Sequence, residues 1–72
     1  MATFTERFAM LRKQKNISFS VLASETNIAL RSLKYYSAGE HEPTMSVLLA
    51  LADFFDVSLD YLVGRSDEPK RR

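Results

Sequence analysis

Cysteine and tryptophan are absent from this 72-residue chain, glycine and proline occur twice each, and the only histidine is His41. Without cysteine no disulfide can staple the fold, and without thiolates or a second histidine the common zinc arrangements have no ligands. The expectation is therefore no metal and no cofactor. Catalysis needs a positioned constellation, and one isolated histidine without a thiol, a phosphate-binding glycine loop or crowded carboxylates does not provide it. The chain reads as a non-enzyme with no small-molecule substrate. Long apolar runs are missing too: MATFTERFAM is interrupted by Glu6 and Arg7, so it resembles neither a signal peptide nor a membrane span. A cytoplasmic protein with no membrane partner is expected, and the sequon Asn16-Ile17-Ser18 is read as structure rather than as a glycosylation site.

What is present is a hydrophobic fraction of 46%, including five Phe and three Tyr, which suits a folded domain and is too rich for intrinsic disorder. The length allows one core, and a core this small depends on close helix packing or on a dimer. The net charge of +1 conceals an asymmetry. Residues 1–36 carry six basic against two acidic side chains, net +4, whereas residues 37–72 carry four against seven, net −3. A basic half of this kind suggests a face that meets a polyanion.

The punctuation of the sequence predicts an all-α domain of five helices, with no strand pattern and no repeat. Thr3 followed by Glu6 has the form of a capping box, and Phe4, Phe8 and Leu11 recur at helical spacing, predicting a first helix from Phe4 to Lys15. Lys13 and Lys15 in its last turn suit the negative end of the helix dipole, either as solvated residues or as DNA contacts. Ser18 is placed to cap a second helix from Phe19 to Thr26, and Asn27 tolerates the left-handed exit. A third helix follows at once, from about Leu30 to Ser37, with Ile28, Leu33 and Tyr36 inward and Gly39 as terminator. Two short helices joined by a tight turn form a helix-turn-helix. Thr44 caps a fourth helix with a Val47, Leu48, Leu51 and Phe55 stripe, ending near Phe55. Ser58 caps a short fifth helix containing Leu59, Tyr61 and Leu62 and closed by Gly64. The expected organisation is one domain over 1–66 and a flexible basic tail over 67–72, RSDEPKRR having no apolar residue to bury.

Three stretches, LxxxTNI at Leu22–Ile28, LKYYSAGEHEP at Leu33–Pro43 and LLALADFFDVSLDYLVGRSD at Leu48–Asp67, occur in an order and at separations that resemble the Cro/CI-type (phage-repressor-like, XRE) helix-turn-helix proteins. The resemblance covers about residues 4–66. It implies a lambda-repressor-like five-helix domain that binds double-stranded DNA as a transcriptional regulator, typically a repressor, with the helix at about 30–37 in the major groove. Base contacts then fall to Leu30, Arg31, Lys34 and Tyr35, which point away from the inward stripe. Arg31 offers a planar fork for a guanine edge. Lys34 reaches either a base or a phosphate, and Tyr35 can also give its hydroxyl to phosphate. Leu30 either touches a thymine methyl or packs on helix two.

The resemblance further implies that the start of helix two, Ser18, Phe19 and Ser20, donates backbone N–H groups to a phosphate. Phe19 stands where the family commonly has a phosphate-bonding glutamine, and Ser37 where many members carry an acid paired to helix one. Arg12 is thereby left free for a phosphate or for solvent. Ala29 cannot supply the side-chain cap common in the family. Glu40 and Glu42 occupy a loop that is usually basic, which weakens a single copy on DNA and makes a homodimer, at least on DNA, the natural remedy. The family often dimerises around helix five, here Leu59, Tyr61, Leu62 and Val63, although the same residues can complete the monomer core. A competing reading is a protein-interaction module on the same fold, a phage modulator or antitoxin-like partner with little specific DNA binding.

Overall fold

Hydroxyl side chains start four of the five helices. In the computed structural model, which describes residues 3–71, Thr3, Ser18, Thr44 and Ser58 each accept the backbone N–H three residues on, at 3.0 to 3.3 Å. Met1, Ala2 and Arg72 lie outside the described residues, and with them the ends of the expected 1–66 domain and 67–72 tail. The helices are α1 (Phe4–Lys15), α2 (Phe19–Thr26), α3 (Leu30–Ala38), α4 (Met45–Phe55) and α5 (Leu59–Leu62). At α1 the capping box is complete, because the Thr3 N–H also donates to Glu6 Oε1 at 2.9 Å. The exits are equally local: Asn16, Asn27, Gly39 and Asp56 all turn the chain in the left-handed region, which Gly occupies freely and Asn and Asp tolerate best among the other residues.

Helix α3 runs one residue beyond the expected Ser37. Gly39, at φ 76°, closes the Ala38 turn by donating its N–H to the carbonyls of Tyr35 and Tyr36. At its other end Ala29 gives no side-chain bond, as the sequence implies.

Each helix sends one large side chain into a common centre. Phe8, Leu22, Leu33, Leu51 and Leu62 come from α1 to α5 in turn and are essentially inaccessible to solvent. Leu11, Ala52, Phe55 and Val57 complete the core, and Ile28, Tyr36, Val47 and Leu48 pack against it. Burying such a side chain is worth roughly 1.5 to 3 kcal/mol. The position of α3 is therefore set by Leu33, held against α1 and α2, while the opposite face of the helix is left to solvent.

Leu62, read either as a dimer contact or as part of the monomer core, is completely buried in the core. The segment after Ser66, expected to be a free tail, folds back on the domain through polar contacts. Asp67 accepts Arg7 Nη2 at 2.7 Å, the Ser58 N–H donates to the Pro69 carbonyl at 2.9 Å, and Arg71 donates to the Ala52 carbonyl and to Asp53 at 2.9 and 2.6 Å. Arg7, almost wholly buried, lies with its guanidinium 3.8 Å from the Tyr61 ring centre. A tail without apolar residues has been given partners by charge and backbone groups, which a search for hydrophobic pattern does not detect.

Candidate nucleic-acid interface

The turn between α2 and α3 consists of Asn27, Ile28 and Ala29. Asn27 takes φ 62° and Ile28 tucks against the core, so α3 leaves at a fixed angle. With Leu33 as inward anchor, helical geometry turns Arg31, Lys34, Tyr35 and Ala38 outward as one stripe, with Leu30 at its edge. All five are exposed. Leu30 and Tyr35 retain 39% and 37% of their accessible surface. Arg31 and Lys34 form no ion pair among the described residues, so their charges are not neutralised within the domain.

Ala38 was not among the sequence-derived readers. Its place on the stripe, seven residues after Arg31, follows once the helix is known to reach it, and the helical period was the available signal. The loop beyond is tied to the helix by the Glu40 N–H, which donates to the Tyr35 carbonyl at 3.0 Å. Glu40, His41 and Glu42 are exposed there, and the His41 and Tyr35 rings meet edge to face with centroids 4.7 Å apart. No local pattern announces that contact.

A second group gathers where α1 ends and α2 begins. Ser18 spends its hydroxyl on capping Val21, and the N–H groups of Phe19 and Ser20, in the first turn of the helix, have no acceptor among the described residues. A shallow cleft beside them is lined by Arg12, Lys13, Asn16 and Ser18. Arg12 is not the free cation that the sequence suggests. It is half-buried, donates to the Ile17 carbonyl at 3.1 Å and stacks over the Phe19 ring. Phe19 supplies Arg12 with the partner that Ser37, having no charge, cannot.

This two-helix unit and its flanking helices match the helix-turn-helix family over residues 8–62. The chain belongs to the helix-turn-helix family. It is 43% identical over 60 residues to RstR, the transcriptional repressor of the cryptic phage CTXphi of Vibrio cholerae, covering 83% of this chain and 54% of that protein. It is 36% identical over 63 residues to the transcriptional regulator AnsR of Bacillus subtilis, covering 88% and 54%. The crystal structure of a transcriptional regulator from Listeria innocua is similar at 33% identity with a TM-score of 0.80, over 92% of this chain and 62% of that one. The chain thus spans little more than half the length of these sequence relatives. Among the described residues no helix is long and apolar enough to cross a membrane, and no group of acidic or histidine side chains is arranged to hold a metal ion.

Proposed function

We propose that this helix-turn-helix protein binds double-stranded DNA sequence-specifically in the cytoplasm as a transcriptional regulator, acting as a repressor by occupying its operator. The observation that carries the reading is the outward stripe of α3: Leu30, Arg31, Lys34 and Tyr35 stand exposed, and the two cations have no ion pair among the described residues, on a helix whose other side is locked by Leu33. A helix of this kind fits the major groove, where each base pair shows a distinct set of donors, acceptors and methyl groups. Arg31 is the principal base reader and Leu30 supplies an apolar contact for a thymine methyl. Lys34 and Tyr35 divide between base edge and phosphate.

The start of α2 is the second anchor. The free N–H groups of Phe19 and Ser20 meet a phosphate at the positive end of the helix dipole, while Ser18 contributes by holding that turn in shape. Arg12, occupied by Phe19 and Ile17, steadies this corner and adds its charge to it. Glu40 and Glu42 oppose phosphates, so a single copy binds weakly and two copies cooperate on half-sites about one helical turn apart. Leu59, Tyr61 and Val63, half-buried along and just after α5, remain as dimer residues once Leu62 is assigned to the core.

The test is selection from a random duplex pool with the purified chain, followed by fluorescence anisotropy on the selected duplex and a scrambled one across a salt series. A two-fold symmetric site preferred over the scramble, and loss of that preference in Arg31→Ala, is the expected result. Equal binding to both duplexes, or none near physiological salt, rejects the reading and turns attention to a protein partner.

A further inference from the structure

Residues 67–71 are all exposed, yet they are fastened to the domain at three places. Asp67 accepts Arg7 Nη2 of α1 at 2.7 Å. At the start of α5 the Ser58 N–H donates to the Pro69 carbonyl at 2.9 Å, and the Ser58 hydroxyl donates to the Glu68 carbonyl at 3.3 Å while accepting the Tyr61 N–H. The residue that caps α5 therefore also holds this segment. At the end of α4 Arg71 donates to the Ala52 carbonyl at 2.9 Å and to Asp53 at 2.6 Å. The segment is a strap laid across the corner between α4 and α5.

The strap occupies ground beside two of the three residues assigned above to the dimer. Glu68, Lys70 and Arg71 line one open depression together with Leu59 and Asp60 of α5. Tyr61 has the Arg7 guanidinium 3.8 Å from its ring centre, and Asp67 holds that guanidinium from outside. A second copy that packs on Leu59 and Tyr61 must displace these groups. What closes the strap is weak against water. Its two ion pairs each include a largely exposed acid, Asp67 at 94% and Asp53 at 69% of their side-chain surface, and pairs of this kind contribute little individually. Segments held by exposed polar contacts, without a buried apolar anchor, open at small cost.

We propose that residues 67–71 are an autoinhibitory strap: closed through Arg71–Asp53 and Arg7–Asp67, they keep the chain monomeric, and a second copy of this chain docks on α5 when the strap lifts. This rests on the dimer reading above. Two copies on neighbouring half-sites meet at a high effective concentration, so the operator favours lifting and pairing is coupled to DNA. Each copy carries one strap, so the dimer dissociation constant varies as the inverse square of the fraction open. Loss of one surface ion pair changes the ratio of open to closed by up to about fivefold, and hence the dimer constant by up to about 25-fold. Arg71 is the residue to remove, because its partners Ala52 and Asp53 lie on α4, outside the proposed dimer face.

The experiment is sedimentation equilibrium of the full chain as wild type, Arg71→Ala and Asp53→Asn, with circular dichroism confirming that each is folded. Amide hydrogen exchange at Ser58, whose N–H is bonded to the Pro69 carbonyl while the strap is closed, reports the strap itself. Both variants should exchange faster at Ser58 and dimerise more tightly, Arg71→Ala by up to about 25-fold. Faster exchange with an unchanged dimer constant overturns the strap's role and leaves the dimer reading intact; a weaker dimer does the same and makes the strap part of the interface. Unaltered Ser58 exchange in both variants also overturns it, since the Arg71–Asp53 pair then does not hold the strap. If Ser58 exchanges faster but all three proteins stay monomeric and bind the selected duplex one copy at a time, the dimer reading fails and this proposal with it.

Discussion

The Arg12 guanidinium lies 4.0 Å from the centre of the Phe19 ring and donates to the Ile17 carbonyl at 3.1 Å. The pair joins the last turn of α1 to the first turn of α2. Arg12 has no carboxylate partner among the described residues and has taken the face of an aromatic ring instead. Arginine suits such a role because its planar, weakly hydrated cation stacks well. A double-mutant cycle of Arg12→Ala and Phe19→Ala in urea denaturation should give a coupling of about 1 kcal/mol. Additive losses would show that the stack contributes nothing.

Arg7 makes the second cation–aromatic contact, with Tyr61, and carries Asp67 on its outer side. The arginine is buried and the aspartate is largely exposed, so the pair is worth less than a fully buried one but more than a surface one. Asp67→Ala leaves a buried guanidinium without its acid and should cost about 1 to 2 kcal/mol. The change in urea midpoint measures this, and an unchanged midpoint would mean that the Arg7–Asp67 pair contributes nothing to stability.

Leu62 separates core from interface. Leu62→Ala should destabilise by about 2 to 5 kcal/mol, enough to unfold much of a domain this small. If Leu62 served an interface instead, the variant would keep the wild-type melting temperature and lose only self-association, which sedimentation would detect.

Helix α3 begins without a cap at Ala29. Ala29→Ser should raise the unfolding free energy by about 1 kcal/mol by giving a first-turn N–H of the helix an acceptor. Thermal unfolding measures the gain; a melting temperature at or below that of the wild type would show that this turn already satisfies its donors in another way.

Glu6 has its pKa held below the ordinary carboxylate value of about 4.5, first by the Thr3 backbone N–H that it accepts and then by the Thr3 side chain. A carboxyl depressed on folding stabilises the native state above its unfolded value, and that contribution disappears as the pH falls through the folded value. The difference in stability between wild type and Glu6→Gln should therefore be present at pH 7, begin to fall as the pH drops through the ordinary carboxylate value and vanish only below the lowered folded value. A difference that persists unchanged into acid would remove the capping box as its source.

The helix starts and stops were legible in the sequence because their causes are local. A hydroxyl at Thr3, Ser18, Thr44 or Ser58 reaches an N–H three residues on whatever the rest of the chain does, and the left-handed region is open to Asn27 through its short amide side chain and to Gly39 through its lack of a Cβ. Helical period together with the Leu33 anchor likewise gave the outward stripe of Leu30, Arg31, Lys34 and Tyr35. Only the tertiary structure decided which long-range partner each ambivalent residue received. Arg12 and Arg7 lie on one short helix five residues apart, yet one stacks on the start of α2 and the other is buried between Tyr61 and Asp67. Leu62 and Val63 are sequence neighbours, and one is sealed in the core while the other is half-exposed. Those outcomes depend on where distant helices dock, and docking is set by the joint packing of Phe8, Leu22, Leu33, Leu51 and Leu62, a volume that no single stretch of sequence contains.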